Sequence, residues 1–211
     1  MKITTIFFDL DNTLYPPECG LWDVISRRIS QFMLEKINIP EGQISILRQY
    51  FRNNYGTTLQ GLRENFSILD EDYMEFVHDI PLTQYIHPNP LLKQMLASLP
   101  HRKIIFTNAS RLHTLRVLET LEITDQFDLI IDIADIYPFS KSQRESFLLA
   151  MNKAGEPFSH QCAMVDDMTQ NLIAARQAGL FPILVWEKNS ESFPFTYIPN
   201  ILDLPSILPK V

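Results

Sequence analysis

Short runs rich in Ile, Val and Phe recur along the chain, at residues 3–8, 103–107, 128–133, 162–166 and 181–186. Polar or turn residues follow each run, and stretches with the apolar spacing of helices separate most of them. Strands that alternate with helices are typical of a parallel sheet covered by helices on both faces. The sequence therefore predicts an α/β fold with a doubly wound, Rossmann-like parallel sheet.

Residues 16–88 interrupt this alternation, because four stretches with helical spacing follow one another there and no convincing strand lies among them. This pattern predicts a small all-helical domain inserted after the first strand. Asn89 followed by Pro90 is a favourable helix start and marks the return to the sheet domain. We expect a core domain made of residues 1–15 and 89–211, with residues 16–88 as the inserted cap.

The helices of the core have identifiable ends. Ser110 is predicted to cap a helix, Thr169 to cap a later one, and Gly179 to end that helix in a left-handed turn. Residues 187–200 are predicted to form a loop before a short terminal helix. Two sets of apolar residues are predicted to face the core: Leu112, Leu115, Leu118 and Leu121 in one helix, and Phe147, Leu148 and Met151 in the next.

Composition excludes several classes of function. The chain has 211 residues and a formal charge of −7, which is unlike the basic surface of a polynucleotide-binding protein. No apolar stretch approaches the roughly 20 residues of a membrane span, so we expect a cytoplasmic protein without a membrane partner. Cys19 and Cys162 are too few for a disulfide framework and lack the spacing of a zinc site. The oligomeric state is left open.

Polar side chains follow the predicted strands where each strand ends, and parallel strands bring such ends to one edge of a sheet. The first run is followed by Asp9 and Asp11, the second by Thr107 and Asn108, and the fourth by Asp166 and Asp167, while Lys141 follows the third after a short loop. We expect these side chains to converge.

Phosphoryl transfer to a carboxylate explains this set of groups. Asp9 would attack phosphorus, and Asp11 would act as the acid and then as the base toward water. Donors from Thr107, Asn108 and Lys141 would hold the phosphate. Asp166 and Asp167, with Asp9 and the main-chain carbonyl of Asp11, would form an oxygen-rich site that suits Mg²⁺ better than zinc.

The set Asp9-x-Asp11-x-Thr13, Thr107-Asn108, Lys141 and Asp166-Asp167 resembles the four motifs of the haloacid dehalogenase superfamily of phosphohydrolases. The resemblance implies a doubly wound core with a cap. Segments 54–62, 76–82, 102–109 and 165–172 are similar to the pyrimidine 5′-nucleotidase branch. This implies a small phosphomonoester substrate, specifically a pyrimidine nucleoside 5′-monophosphate, over which the cap closes.

Two positions depart from the family pattern: Ser142 replaces the proline that usually follows the lysine, and Met168 replaces the usual serine. Asn171 either orients a carboxylate or is an ordinary helix residue. In the cap, Tyr55 is expected in a loop facing substrate, and His78 is the better of two histidines for substrate contact. The other, His113, has no evident acid partner and is expected to be structural or solvated.

Three alternatives remain at this point. The first is a phosphatase for another small metabolite, such as a sugar phosphate or phosphoglycolate, because all such enzymes share the core motifs. The second is a dehalogenase, against which Asp11 and Asp166 argue, since attack on carbon needs neither a protonated leaving group nor a cation. The third is a binding module of the same fold that has lost turnover.

Overall fold

The structure is a computed structural model and describes residues 2–186 and 195–208. Contacts between residues divide the chain into two compact units. One unit is formed by the chain up to Cys19 together with the chain from Ile86 onward, and the other is Gly20–Tyr85. No helix in the described ranges combines the length and the apolar character needed to cross a bilayer.

The first unit is built on a parallel sheet. Its strands in the described residues are β1 (Thr5–Phe8), β2 (Arg102–Phe106), β3 (Leu129–Ile131), β4 (Cys162–Asp166), β5 (Phe181–Val185) and β6 (Thr196–Ile198). They form one sheet in the order β3-β2-β1-β4-β5-β6, and every neighbouring pair is parallel. This order is that of a doubly wound sheet, so the predicted fold class is confirmed.

The centre of the sheet is covered on both faces. All four residues of β1 are buried, and successive residues of a strand point to opposite faces. Side chains from neighbouring elements complete the packing: Phe106 lies edge-on to Phe7 at 6.3 Å and to Phe147 at 5.1 Å between ring centroids. A central strand buried on both faces is expected of a parallel sheet with helices on each side.

The α-helices in the described residues of this unit are α5 (Pro90–Ser98), α6 (Arg111–Thr120), α7 (Arg144–Ala154), α8 (Thr169–Gln177) and α9 (Leu204–Ile207). Asn89 caps α5, accepting hydrogen bonds from the backbone of Leu91 and Leu92 at 3.1 and 3.3 Å, and Ser110 caps α6. Both predicted caps are confirmed. The prediction for Thr169 is wrong, because Thr169 is already inside α8, and its N-cap, Met168, makes no side-chain capping bond.

The predicted apolar face of α6 is only partly right, because Leu118 and Leu121 are buried as predicted but Leu112 is not. Leu112 is 65% exposed, and the buried residues of this helix are His113, Thr114, Val117 and Leu118. Residues at successive i+3 positions drift around a helix of 3.6 residues per turn, so Leu112 lies about 120° away from Leu118. In α7, Phe147 and Met151 are buried as predicted, but Leu148 is 38% exposed.

The region after β5 differs from its prediction as a loop. Thr196–Ile198 form β6, which pairs with β5 at the edge of the sheet. Three residues are too few to show the alternation by which a strand is recognised in sequence. The other part of the predicted loop, residues 187–194, lies outside the described residues. The terminal helix is present as α9.

The second unit is all-helical over residues 20–85, all of which the structure describes. Its helices are α1 (Leu21–Glu35), α2 (Glu41–Tyr55), α3 (Thr58–Asn65) and α4 (Asp70–His78). Phe32 of α1 packs edge-on against Tyr73 and Phe76 of α4, with ring centroids 5.1 and 5.5 Å apart. Gly61 allows α3 to approach α2, because a Cβ there would overlap the ring of Phe51.

Candidate active site

A buried ion-pair cluster lies at the carboxyl ends of β1 and β4. Asp9 directly follows β1 and donates its backbone N–H to Val165 of β4 at 2.9 Å, and Asp166 is the last residue of β4. The ammonium of Lys141 donates to Asp9 Oδ1 and, at 2.8 Å, to Asp166 Oδ2. Lys141 is 2% exposed and Asp166 is fully buried. One cation therefore bridges two acids that come from adjacent strands.

The loop after β3 is held so that Lys141 reaches this position. The backbone N–H of Lys141 donates to Asn108 Oδ1 at 3.0 Å. Ser142, which stands where the family has proline, pairs its hydroxyl with that of Ser140 at 2.9 Å. Ser142 therefore adds a side-chain hydrogen bond to this loop.

Thr107 and Asn108 lie at the end of β2, the neighbour of β1. Thr107 is buried, and its hydroxyl accepts a hydrogen bond from the backbone of Ala109 at 3.0 Å. Asn108 supports the lysine loop through its side-chain oxygen. Their roles as phosphate donors stay predictions.

Asp166 is oriented by residues on its far side. Its oxygens accept from Asn171 Nδ2 at 3.0 and 3.1 Å, and Oδ1 also accepts from the backbone N–H of Met168 at 2.8 Å. Asn171 is buried and hydrogen-bonds the Asp166 carboxylate, so it orients a carboxylate and is not an ordinary helix residue. The Met168 side chain is 51% exposed. Its replacement of the family serine leaves the backbone contact to Asp166 in place.

Asp167 adds a third acid to the cluster. One oxygen from each of Asp9, Asp166 and Asp167 can be chosen so that all lie within 4.8 Å of one another. Burial, followed by the charges of Asp166 and Asp9, raises the pKa of Asp167 to about 9. Ionisation of all three carboxyl groups would leave surplus negative charge around the single bridging ammonium, and a divalent cation would offset that charge. Hard oxygen donors of this kind fit Mg²⁺.

The charge state of the ion pair follows from burial and Coulomb attraction. Burial raises the pKa of Asp9 to about 7, although Lys141 acts in the opposite direction. Burial acts to lower the pKa of the Lys141 ammonium, but the charges of Asp166 and Asp9 outweigh it and the pKa is raised. Lys141 thus remains charged and favours the ionised form of Asp9.

Asp11 has different partners from Asp9. Its Oδ1 accepts a hydrogen bond from the Tyr15 hydroxyl at 2.6 Å and lies 2.9 Å from His113 Nε2. Burial, and then the charge of Asp11, raises the pKa of Tyr15 well above its usual value, so the hydroxyl remains a donor. The expectation that His113 lacks an acid partner is therefore wrong. His113 lies on the buried face of α6 with Val117. A correct assignment of that face from the sequence would have indicated that His113 points into the core.

Hydrogen bonds fix the loop that carries Asp9 and Asp11. Asn12 has a left-handed backbone with φ of 59°, and the Thr13 hydroxyl donates to Asp9 Oδ2 at 3.2 Å. The indole of Trp186 donates to the carbonyl of Thr13 at 3.3 Å. Neither Trp186 nor Tyr15 had been identified from the sequence as a site residue, because contacts of this kind depend on the folded chain.

The two predicted substrate residues of the cap lie in the second unit. Tyr55 is the last residue of α2 rather than part of a loop, and its ring packs edge-on with Tyr50 and Phe51 at 6.2 and 6.0 Å. His78 is the last residue of α4 and is buried. Their contact with substrate stays a prediction.

A family model for haloacid dehalogenase-like hydrolases matches residues 3–179, a range that contains every site residue described above except Trp186. The chain belongs to the haloacid dehalogenase-like hydrolases. This confirms the superfamily resemblance drawn from the four motifs.

Relatives of this haloacid dehalogenase-like hydrolase extend over nearly the whole chain. Phosphate metabolism protein 8 of Saccharomyces cerevisiae is 24% identical and covers 96% of this chain and 71% of the yeast protein. PpaX of Caldanaerobacter subterraneus, named as a candidate pyrophosphatase, is 26% identical over 99% of this chain and 96% of its own. The crystal structure of the Bacillus subtilis HAD-hydrolase YfnB, bound to magnesium, shares the fold with a TM-score of 0.67, 18% identity and complete coverage of both chains.

Proposed function

We propose that this hydrolase is a Mg²⁺-dependent phosphomonoesterase that forms an aspartyl-phosphate on Asp9. The observation that carries the proposal is the bridge from Lys141 to both Asp9 and Asp166. A buried ammonium at this point favours an ionised nucleophile and offsets the approach of an anionic phosphate. Membership of the family and the phosphate-related names of the two relatives support a phosphatase.

In the first step, a carboxylate oxygen of Asp9 attacks phosphorus as the bond to the ester oxygen breaks. Asp11 gives its proton to that oxygen, and the alcohol leaves. Asp11 suits this task because it is held by Tyr15 and His113, outside the ion-pair bridge that keeps Asp9 paired with Lys141.

In the second step, water attacks the phosphorus of the aspartyl-phosphate. Asp11, now ionised, takes a proton from the water, and the bond between phosphorus and the Asp9 oxygen breaks. Inorganic phosphate leaves, and Asp9 returns to its carboxylate form. The Asp11 proton lost to the alcohol is thereby restored, so the cycle balances.

Asp9, Asp166 and Asp167 would hold the metal ion with their carboxylates, together with the main-chain carbonyl of Asp11. When bound, Mg²⁺ would supply positive charge against the repulsion between the phosphate and the surrounding acids. Asn171 would keep Asp166 turned toward this site through its two hydrogen bonds.

The substrate class rests on the resemblance to the pyrimidine 5′-nucleotidase branch. We propose a pyrimidine nucleoside 5′-monophosphate, with Tyr55 and His78 contributing to its recognition. Segments 54–62 and 76–82, which carry these residues, are among those that support this choice.

Hydrolysis of p-nitrophenyl phosphate with Mg²⁺, with EDTA, and with EDTA followed by excess Mg²⁺ tests the reaction. We expect turnover that is lost with EDTA and restored by Mg²⁺. No turnover under any condition would favour a silent binding module. A panel of nucleotides, sugar phosphates and phosphoglycolate then tests the substrate, and a clear preference for either of the last two would replace the nucleotide proposal.

Tyr55→Ala tests recognition of the base. We expect the KM for the preferred pyrimidine nucleotide to rise by about tenfold, equivalent to about 1.4 kcal/mol, while the KM for p-nitrophenyl phosphate changes little. Tyr50→Ala is the matched control, because it disturbs the same aromatic packing without removing Tyr55. If Tyr55→Ala raised the KM for both substrates equally, or if Tyr50→Ala raised the nucleotide KM as much as Tyr55→Ala does, Tyr55 would not contact the base.

A further inference from the structure

Two side chains contact the same oxygen of the Asp11 carboxyl group. Tyr15 donates its hydroxyl to Oδ1 at 2.6 Å, and His113 Nε2 lies 2.9 Å from the same atom. A carboxylate oxygen can only accept, so the ring nitrogen of His113 is the donor when Asp11 is ionised. Tyr15 is 3% exposed and His113 is 1% exposed.

The two donors come from different parts of the core unit. Tyr15 lies four residues after Asp11 in the same loop. His113 belongs to α6, which follows β2, and its backbone N–H is fixed by the N-cap Ser110 at 3.3 Å. A carboxyl group held from its own loop and from a neighbouring helix has little freedom to rotate about its side-chain bonds.

We infer that Tyr15 and His113 are positioning residues that hold the Asp11 carboxyl group where it can transfer a proton to the leaving alcohol and from water. The inference rests on the proposed function, in which Asp11 serves in both steps. Proton transfer depends steeply on the placement of the acid, because the donor and the acceptor must lie within hydrogen-bond reach. Loss of either anchor therefore affects turnover more than substrate binding.

The two steps respond differently to a misplaced Asp11. An alkyl alcohol is a poor leaving group and needs the proton from Asp11, whereas p-nitrophenolate leaves without one. The second step needs Asp11 as a base whatever the substrate was. With p-nitrophenyl phosphate, a misplaced Asp11 therefore leaves the first step fast and makes the second slow. A burst of p-nitrophenol, about one per enzyme molecule, should then precede slow turnover.

The test compares Tyr15→Phe, His113→Leu and His113→Gln with the unaltered enzyme, using an alkyl phosphomonoester in the steady state and p-nitrophenyl phosphate in rapid mixing. We expect Tyr15→Phe and His113→Leu to lower kcat for the alkyl ester by roughly 10- to 100-fold with little change in KM, and to produce the burst. His113→Gln keeps an N–H donor and should recover part of the rate. Tyr197→Phe, in edge strand β6, is the matched control.

The inference would be overturned if kcat fell equally with both substrates and no burst appeared. It would also be overturned if the variants had the same kcat as an active unaltered enzyme. If the unaltered enzyme hydrolyses no phosphomonoester, the proposed function fails and this inference with it. Tyr15→Phe removes one hydroxyl and retains the ring, so it decides the matter even if His113→Leu does not fold. Circular dichroism and the thermal midpoint establish that each variant is folded.

Discussion

At the scale of single residues, the site separates two acids that are only two positions apart in the chain. Asp9 is paired with the Lys141 ammonium, whereas Asp11 accepts from a phenol and an imidazole. Different surroundings allow two carboxyl groups to take different roles in one reaction. In the proposed mechanism, the paired acid Asp9 attacks phosphorus and Asp11 transfers the proton.

Asn171 provides a test of how the metal site is supported. Asn171→Ala removes both hydrogen bonds to Asp166, and loss of a group that orients a metal ligand typically weakens binding by about 10- to 100-fold. We expect the Mg²⁺ concentration for half-maximal activity to rise by this factor. Gln170→Ala, at the exposed neighbouring position, is the control. Unchanged Mg²⁺ dependence in Asn171→Ala would refute the orienting role.

Residue identities at the site were more predictable than residue partners. The motifs indicated Asp9 and Asp166 because each stands at the end of a strand, where side chains of a parallel sheet gather, and Lys141 because it follows the third strand after a short loop. The contact between His113 and Asp11 joins residues 102 positions apart. No local sequence pattern encodes such a pairing. Predicting it would have required knowing which face of α6 is buried and where the loop that carries Asp11 lies.

At the scale of elements, the pattern of apolar residues predicted which stretches are helices better than it predicted where they end or which face they bury. Helix α6 exists as expected, but Leu112 points outward, because i+3 spacing alone does not keep residues on one face. Thr169 has a side chain suited to an N-cap, but it lies one position after the N-cap of α8, which is Met168. Strand β6 was missed because three edge residues lack a recognisable alternation.

The packing of α3 on α2 gives an element-scale prediction. Gly61→Ala places a methyl group against the ring of Phe51, and such overpacking typically costs about 1–3 kcal/mol. Gly42→Ala, in α2 with open space around it, should instead raise the free energy of unfolding by about 0.5–1 kcal/mol, as alanine does in place of helical glycine. Urea denaturation measures both, and equal effects of the two substitutions would contradict the close approach of the helices.

At the scale of the whole molecule, one buried histidine connects stability to pH. His101 is 6% exposed, and neither of its ring nitrogens has a hydrogen-bond partner within the described residues. Burial, and then the charge of Lys103, lowers the pKa of His101 from its ordinary value of 6.5. The folded protein therefore binds a proton at this site less readily than the unfolded chain does.

The sign of the effect follows from this difference. As the pH falls below about 6.5, the unfolded chain takes up a proton that the folded chain resists, so stability decreases until the pH passes the folded-state pKa. His101→Leu removes this contribution, and we expect the variant to lose less of its unfolding free energy than the unaltered protein between about pH 7.5 and pH 5.5. Urea denaturation at each pH provides the measurement. Identical losses would show that His101 titrates alike in both states.

The covalent intermediate at Asp9 is the central step of the proposed mechanism. Acid quenching during turnover of p-nitrophenyl phosphate, followed by tryptic digestion and tandem mass spectrometry, tests it directly. We expect one phosphoryl group on Asp9, in the peptide that also carries Asp11 and Asp23. Asp9→Asn should stay folded and lose both the label and turnover, whereas Asp23→Asn, at an exposed acid of the same peptide, should keep both. A phosphoryl group on another residue, or full activity in Asp9→Asn, would contradict the proposed mechanism.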